Sequence, residues 1–274
     1  MGNTTNPYSM VRSRVLKVVK ETPTIYTIRL KPDREVPFDP GQFIQLTVPG
    51  VGEAPFTPSS HYRKPETLDV TVARVGKVTD RIHQLSPGDE VGIRGPYGNN
   101  YPLEDFRDRE VLVVGGGVGF APMRAVMYGL FDIVSSLAKL LYRGGCRNPS
   151  ELVYREEMSR WFDRDDLNIV LTVDEGDETW RGPTGVVTTI LEDLSLDFES
   201  AVAIVCGPPI MMKFSTLKLL EMGFSDSNIF LSMEKNMSCA IGQCGHCRIG
   251  PYYCCTDGPV FRYSQIKQYP NIWD

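Results

Sequence analysis

Alternating apolar and polar residues dominate the first hundred positions of the chain. This alternation has a period of two, which is typical of β-strands that bury one face. Glycine, proline and aspartate separate five short segments of this kind: residues 11–19, 24–30, 43–48, 68–75 and 90–95. Several such strands without a long helix between them predict a small antiparallel β-barrel or sandwich, in which residues 87–89 (Pro-Gly-Asp) form a turn.

The hydrophobic pattern changes after the charged stretch 105–108, which we interpret as a linker. A continuous apolar run at 110–114 leads into a glycine turn and then into residues 121–130, which have the pattern of a helix. Apolar strands then alternate with helix-like segments: strands at 138–142, 168–172 and 201–205, and helix-like segments at 149–162, 185–191 and 210–222. Repeated strand-helix units predict a parallel-sheet α/β domain. From about residue 231 the periodicity is lost, and a Cys- and Gly-rich loop region follows.

Composition and charge exclude several classes of protein. The chain has 274 residues, of which 42% are hydrophobic and 23% are charged, so a disordered chain or a disulfide miniprotein is excluded. The net charge of −5 provides no basic field for nucleic acid. The first residues lack the apolar run of a signal peptide, and no stretch reaches the roughly 20 apolar residues of a membrane span. We therefore expect a cytoplasmic protein without membrane insertion.

Five of the seven cysteines crowd into one short segment near the C-terminus. Cys239, Cys244 and Cys247 have the spacing C-x4-C-x2-C, which opens the plant-type ligand pattern of a [2Fe-2S] cluster. A fourth thiolate is needed, and Cys254 and Cys255 are both within reach of it. In a reducing compartment such a group of cysteines indicates metal ligation before it indicates disulfides.

A structural zinc site is the alternative for these cysteines, because four thiolates also satisfy tetrahedral zinc. Zinc sites usually pair two Cys-x2-Cys halves, and the second half is missing, which favours the iron-sulfur cluster. The glycines of the segment allow backbone N–H groups to turn toward the sulfurs. We interpret His246 as an exposed loop residue, because four cysteines already suffice.

Two turns follow strands of the second region. Residues 115–119 (Gly-Gly-Gly-Val-Gly) come between a strand and a helix, so their amides could receive a pyrophosphate; an ordinary tight connection is the alternative. This turn is not a G-x-G-x-x-G match, and no carboxylate ends the second strand. Residues 206–209 (Cys-Gly-Pro-Pro) end another strand, where open parallel sheets bind ligands.

Two further turns belong to the first region. Residues 95–102 contain two aromatic side chains, so the turn could be an ordinary hairpin end or a platform beside a flat ring. Residues 74–79 offer two cations and a hydroxyl around a glycine, which suits either a phosphate contact or a solvated turn.

Taken in order, these motifs resemble the ferredoxin reductase-like flavoproteins, and most closely their iron-sulfur branch. That branch includes the electron-transfer subunit of dihydroorotate dehydrogenase, the gamma subunit of sulfhydrogenases and the B subunit of anaerobic sulfite reductase. Residues 54–60 resemble its flavin motif R-P-Y-S-x-x-S, with Ala54 in place of the arginine. The other matching segments are 74–79, 95–102 (G-P-x-G-x-x-F-P), 115–122 (G-G-G-x-G-x-A-P), 142–157 (Y-G-x-R, then Y-x-x-E), 206–209 (C-G-P-P) and 255–261 (C-x-D-G-P-V-F).

The resemblance implies a β-barrel that binds FAD at 1–106, a nucleotide-binding domain for NAD(H) or NADP(H) at 107–230 and a [2Fe-2S] region at 231–274. It implies that Cys206 approaches the nicotinamide, and it selects Cys255 as the fourth ligand beside Cys239, Cys244 and Cys247. The cofactor-binding residues implied in the first region are Pro55, Phe56, Thr57, Ser60, Arg74, Gly76, Val78, Thr79, Gly95, Tyr97, Gly98 and Asn99. Those implied in the second are Gly115, Gly116, Gly117, Val118, Gly119, Gly207 and Pro208.

These sites predict an electron-transfer subunit of an oxidoreductase complex. A nicotinamide gives up two electrons as hydride and the cluster takes one at a time, so the flavin belongs between them. The chain carries donor and relay sites without a recognisable terminal-substrate site, which favours exchange with a redox partner subunit. A stand-alone NADH-dependent reductase of a small acceptor and a zinc-stabilised binding module are the alternatives. Arg143 and Arg147 suit either a contact with the 2′-phosphate of NADP(H) or ordinary solvated charge, so the choice between NAD and NADP stays open.

Overall fold

The computed structural model describes residues 6–192 and 194–273. Its first part is a six-stranded antiparallel sheet that curves into a half-barrel, with strand order β4-β3-β6-β1-β2-β5. Alternate residues of the strands face its core, as in β1, where Val11 and Val15 are buried and Arg12 and Arg14 are exposed. The strands are β1 (Val11–Lys20), β2 (Ile25–Pro32), β3 (Phe43–Val48), β4 (Gly52–Phe56), β5 (Leu68–Ala73) and β6 (Glu90–Tyr97), and α1 (Lys77–Ile82) follows β5.

The second part is another six-stranded sheet, with strand order β14-β11-β10-β7-β8-β9 and helices on its faces. Its strands are β7 (Glu110–Gly116), β8 (Lys139–Cys146), β9 (Asn168–Val173), β10 (Val202–Cys206), β11 (Ile229–Ser232) and β14 (Val260–Arg262). The long helices are α2 (Phe120–Asp132), α3 (Arg155–Phe162) and α4 (Pro209–Glu221). The expected α/β domain is thus confirmed, with its first strand, glycine turn and helix in the predicted places.

The parallel sheet expected for residues 107–230 is confirmed, because the strands β7 to β11 all pair with their neighbours in parallel, and the cysteine region adds one more strand to it. The edge strand β14 runs antiparallel to β11, with Leu231 opposite Phe261, so the sheet is mixed. Two helix-like segments differ from expectation. A left-handed residue at Tyr154 divides 149–162 into a short 3-10 turn and α3, and the segment 185–191 is only a 3-10 helix, Val187–Leu191.

The C-terminal cysteine region packs onto the second sheet. It contains the two-stranded pair β12 (Arg248–Ile249) and β13 (Tyr252–Tyr253), then β14 and α5 (Tyr263–Ile266). Cys247 and Cys254 are buried in the same apolar core as Leu112 and Val205 of the sheet. The domain boundary expected at residue 230 lies inside β11, so this region shares secondary structure with the nucleotide-binding unit. No helix within residues 6–192 and 194–273 combines the length and apolar character needed to cross a bilayer.

Candidate redox site

A cleft of about 290 Å³ lies where the half-barrel, the second sheet and the cysteine region meet. The half-barrel contributes Phe43, Pro55, Phe56, Thr57, Thr71, Ala73, Val75 and Thr79. The second sheet contributes Val118, Gly119, Ala121, Pro122, Cys206 and Gly207, and the C-terminal part contributes Ser232, Met233, Glu234, Lys235, Met237 and Pro259. The site is therefore built from all three regions of the sequence.

The predicted flavin motif lies at the end of β4, on the half-barrel side of the cleft. Pro55, Phe56 and Thr57 line the cleft, and Ser60 is buried just beyond them. The Ser60 hydroxyl has no hydrogen-bond partner among the described residues, although a buried hydroxyl normally has one. Pro55, Phe56 and Thr57 give the cleft two apolar surfaces and a hydroxyl, which fits a flavin, whereas Ser60 lies outside the described lining and its role stays a prediction.

The turn at 74–79 is held together by its own side chains. Thr79 Oγ1 accepts hydrogen bonds of 2.9 Å from the backbone N–H groups of Val75 and Gly76, and Thr79 lines the cleft. The guanidinium of Arg74 forms an exposed ion pair of 2.7 Å with Asp80. Arg74, Gly76 and Val78 lie outside the cleft lining among the described residues, so their assignment to the cofactor stays a prediction.

The turn at 95–99 contacts the cysteine region, and its residues are absent from the described lining of the cleft. The Asn99 side chain donates to the carbonyl oxygens of Asp257 (2.9 Å) and Val260 (2.8 Å) and accepts from Val260 N (3.0 Å). Gly98 has φ +76°, and an added Cβ would lie 2.5 Å from the carbonyl oxygen of Gly258. Tyr97 donates to Pro7 O at 2.7 Å. The role of Gly95, Tyr97, Gly98 and Asn99 in cofactor binding stays a prediction.

The glycine turn after β7 borders two cavities. Val118 and Gly119 line the cleft, whereas Gly116 and Gly117 line a neighbouring groove of about 1010 Å³. A side chain at Gly119 would collide with the Cys206 carbonyl oxygen, so glycine allows the two turns to meet. Gly115 is buried behind them, near Tyr142.

The groove runs over the carboxyl ends of β7, β8, β9 and β10, where open parallel sheets bind ligands. Arg147, Glu151 and Asp174 supply its charges on one side, and Pro208 lies opposite. Ile210, Phe214 and Leu217 of α4 form an exposed apolar stripe along it.

Of the two arginines considered for a 2′-phosphate, Arg143 is excluded by its position. It is buried, and its guanidinium donates to the carbonyl oxygens of Ile190, Tyr142 and Asn168 at 3.0 to 3.2 Å. Burial lowers its pKa. Arg147, by contrast, is exposed and lines the groove.

Cys206 is the last residue of β10 and lines the cleft. Burial raises the pKa of its thiol to about 12, so the sulfur is protonated at neutral pH. A neutral thiol is a small, polarizable contact surface and a poor nucleophile. Its position therefore suits packing against a ring in the cleft.

The cysteine segment turns backbone amides toward its sulfurs. Cys239 Sγ accepts from the N–H groups of Ile241 (3.5 Å), Gln243 (3.3 Å) and Cys244 (3.4 Å). Burial opposes ionisation of Cys239, but these amides outweigh it and lower the pKa to about 6. Amide donors to sulfur are typical of thiolates that hold an iron-sulfur cluster, so the donor set fits one.

Cys255 and Cys247 form the other side of the segment. Their sulfurs are 3.4 Å apart, and Gly242 N donates to Cys255 Sγ at 3.1 Å. Cys254 is fully buried, and its own N–H donates to Cys247 O. The amide donor supports the choice of Cys255 over Cys254 as the fourth ligand.

The loop that carries Cys244 and His246 lies at the surface, as expected for His246. Cys244 is exposed, and His246 Nδ1 lies 2.9 Å from Ser238 Oγ in the exposed loop. Among the described residues, no group of three or more His, Cys, Asp or Glu side chains is close enough to hold a single metal ion.

The sequence reasoning missed a polar cluster between the half-barrel and the second sheet. Arg124 of α2 forms ion pairs with Asp69 of β5 (3.2 Å) and Glu157 of α3 (2.5 Å), and Tyr154 OH lies 2.5 Å from Thr71 Oγ1. The alternation in β5 predicts that Asp69 and Thr71 face solvent, but this outer face of the half-barrel is covered by the second unit, so both are buried. The cleft segment Ser232–Met237 was also missed, because it has no periodic pattern.

Family models match all three regions. The Oxidoreductase FAD-binding domain matches residues 14–101, the Oxidoreductase NAD-binding domain residues 113–216, and the Iron-sulfur cluster binding domain of dihydroorotate dehydrogenase B residues 234–267. These matches confirm the predicted order of FAD-binding, NAD-binding and iron-sulfur regions. They agree with the iron-sulfur interpretation and not with a zinc-stabilised module.

Full-length relatives and a solved structure agree with this order. Sulfhydrogenase 1 subunit gamma of Pyrococcus furiosus is 33% identical, over 98% of this chain and 96% of its own length. The probable dihydroorotate dehydrogenase B (NAD(+)) electron transfer subunit of Methanocaldococcus jannaschii is 34% identical, over 93% of this chain and 90% of its own length. The NADH-dependent reduced ferredoxin-NADP oxidoreductase structure superposes with a TM-score of 0.76 and 26% identity, over 97% of this chain and 91% of that one. The chain therefore belongs to the ferredoxin reductase-like family of electron-transfer subunits, which join an FAD-binding domain, an NAD-binding domain and an iron-sulfur region.

Proposed function

We propose that this chain passes electrons between NAD(P)H and a [2Fe-2S] cluster by way of FAD in the cleft, and exchanges them with a partner subunit. The observation that carries this proposal is that one cleft borders all three predicted sites. It is lined by Thr57 of the flavin motif, by Gly119 and Cys206 of the nucleotide turns and by Met237, two residues before Cys239.

Residues of the half-barrel would hold the flavin. Pro55, Phe56 and Thr57 would border its ring, and the buried Ser60 completes the same motif next to them. A flavin supplies the exchange between a two-electron hydride and single electrons. The protein's contribution is to position the two rings and to exclude water from between them.

The groove and the cleft would hold the two ends of the nicotinamide nucleotide. Gly116 and Gly117 lie on the groove side of the glycine turn and Gly119 lies on the cleft side, so a dinucleotide crossing the turn would reach both. Its pyrophosphate would meet the N-terminus of α2, where backbone N–H groups favour anions. Its nicotinamide would then lie beside Cys206.

The cysteine segment would hold a [2Fe-2S] cluster through Cys239, Cys244, Cys247 and Cys255. The spacing C-x4-C-x2-C and the amide donors to two of the sulfurs support this cluster type. Gln243, Cys244 and His246 are exposed, so the cluster edge would face a docked protein. This exposure supports a partner subunit as the electron donor or acceptor.

An anaerobic visible spectrum before and after NADH or NADPH addition tests the function, followed by electron paramagnetic resonance of the reduced sample. We expect flavin bands that bleach and a signal from one reduced [2Fe-2S] centre. A colourless chain with stoichiometric zinc, after reconstitution with FAD, iron and sulfide has been attempted, would contradict the proposal. Rapid turnover with a small acceptor alone would favour the stand-alone reductase.

Two cysteine variants test the ligand set in the same assay. We expect Cys255→Ser to lose the cluster signal, because Cys255 Sγ lies beside Cys247 Sγ and receives the Gly242 amide. The neighbouring Cys254→Ser is the matched control and should keep its iron, since Gly242 N donates to Cys255 Sγ and not to Cys254. Loss of iron from C254S with retention in C255S would reverse the assignment.

A further inference from the structure

Tyr154 reaches out of the nucleotide-binding unit and is anchored to the half-barrel twice. It directly precedes α3, is buried, and places its hydroxyl 2.5 Å from Thr71 Oγ1 on β5. Its backbone N–H donates to Glu21 Oε2 at 3.1 Å, just after β1. Side chain and main chain therefore both cross between the two sheets.

The backbone of Tyr154 adopts an unfavourable conformation to make these contacts. Its φ and ψ are 54° and 39°, in the left-handed region that bulky residues rarely occupy. Such conformations persist where the surroundings over-determine them, and they cluster at functional sites. Here the Arg124 guanidinium also lies 4.6 Å from the ring centroid, which adds a third contact.

One end of this anchor lies at the cleft, and the other lies three residues along the chain from the groove lining. Thr71 lines the cleft, where its hydroxyl also contacts Thr27 Oγ1 (2.8 Å) and Ser59 Oγ (3.1 Å). On the other side, the loop that leads from β8 to Tyr154 contributes Arg147 and Glu151 to the groove. A shift of Tyr154 would therefore move the groove loop relative to the cleft.

We propose that Tyr154 is a positioning residue that fixes the nucleotide-binding loop against the flavin cleft and so sets how closely the nicotinamide approaches the flavin. This inference rests on the proposed FAD and NAD(P)H sites. Its reason is geometric, because hydride transfer requires the reacting rings in van der Waals contact and small displacements slow it strongly. The contact fits this task because it joins Thr71 in the cleft wall to the end of the loop that carries Arg147 and Glu151 in the groove wall.

Tyr154→Phe tests the proposal in the full chain loaded with FAD. Thr71 keeps Thr27 and Ser59 as partners in this variant, so its hydroxyl remains satisfied. The matched control is Tyr62→Phe, because Tyr62 OH also crosses from the half-barrel to Asp132 of α2, at 2.8 Å, without lining the cleft or the groove. Both variants lose one hydroxyl that bridges the two units.

The first measurement is the stopped-flow rate of flavin reduction at several NADH concentrations. The second is the charge-transfer absorbance between nicotinamide and flavin when NAD⁺ is added to the reduced protein. The third is the affinity of the chain for FAD. We expect Y154F to lower the limiting rate of flavin reduction about tenfold and to weaken the charge-transfer band. The NADH concentration that gives the half-maximal rate and the affinity for FAD should not change. Y62F should behave as the unaltered chain does. A normal rate and band in Y154F, or equal losses in both variants, would overturn the proposal.

The outcomes also separate this proposal from the function on which it rests. If the unaltered chain is not reduced by NADH or NADPH, the proposed function fails; if it is reduced and Y154F is equally fast, only the role of Tyr154 fails. Should Y154F not fold, Glu21→Ala removes the acceptor of the Tyr154 amide and leaves the hydroxyl in place. A weakened charge-transfer band in E21A supports the proposal, and a normal band overturns it.

Discussion

Cys206 and Cys239 have the same side chain and opposite acid-base behaviour. Burial holds the pKa of Cys206 at about 12, whereas three backbone amides lower the pKa of Cys239 to about 6. The first is a neutral contact at the end of a strand, and the second is ready to bind iron as a thiolate. The sequence motif marks both residues, but only the backbone around each sulfur determines what it can do.

Asp174 gives a prediction about coenzyme choice at the residue scale. It directly follows β9 and lines the groove, where its carboxylate would repel the 2′-phosphate of NADP(H). We expect Asp174→Asn to raise the ratio of kcat/KM for NADPH over NADH about tenfold, which corresponds to loss of about 1.4 kcal/mol of repulsion.

Steady-state reduction of a dye with each coenzyme measures this ratio. Glu175→Gln is the control, because Glu175 is the next exposed residue and lies outside the described lining of the groove. An equal shift in both variants would mean that net charge, and not the position of Asp174, decides the preference.

The predicted elements succeeded where the hydrophobic period was strong. The alternation in β1 and the apolar run in β7 identified both strands, because in each the pattern follows the burial of the side chains. The strand β4 was missed, since it is an edge strand of five residues that contains Pro55 and has no buried residue. The pairing of β14 with β11 was missed because three residues carry too little pattern.

The glycine turns and the cysteines of the candidate site could be predicted from the sequence, because each forms a contiguous motif. Its remaining parts come from residues far apart in the chain, such as Thr71 and Tyr154, and only the fold brings those together.

Asn99 supports a prediction at the scale of elements, because it joins the turn after β6 to the segment before β14. Asn99→Ala removes three side-chain hydrogen bonds, two to the carbonyl oxygens of Asp257 and Val260 and one from Val260 N. We expect it to lower the free energy of unfolding by about 2 kcal/mol, since the partners lose satisfied bonds. Urea unfolding followed by intrinsic fluorescence measures the change.

Asn100→Ala is the natural comparison for this variant. The Asn100 side chain makes one hydrogen bond of 3.3 Å, to the adjacent Tyr101 O, and its replacement should change stability by under about 0.5 kcal/mol. Equal stability of N99A and N100A would mean that the turn does not hold the cysteine region in place.

At the scale of the whole molecule, the FAD-binding and NAD-binding units are joined by a polar cluster. Arg124 lies between Asp69 and Glu157, whose side chains are only 5% and 14% exposed. Asp69 also pairs with Arg29 on the outside of the half-barrel. Paired charges between the two units favour one relative orientation of the units. In any other orientation each carboxylate would lose its arginine partner.

Arg124→Leu tests this joint. We expect it to lower the free energy of unfolding by about 3 kcal/mol, because Glu157 would keep a largely buried charge without a cation. Arg63→Leu breaks another ion pair between the units, which joins Arg63 to Asp132. The Arg63 side chain is 64% exposed. That change should cost under about 1 kcal/mol, and urea midpoints for the two variants measure the difference. Similar midpoints would show that burial does not strengthen this joint.

The segment Ser232–Met237, which walls the cleft, continues within two residues into Cys239. One stretch of backbone thus serves the proposed flavin pocket and begins the proposed cluster pocket. A displacement of this backbone at either pocket would therefore be transmitted to the other, so the two proposed pockets are mechanically coupled through a single covalent segment.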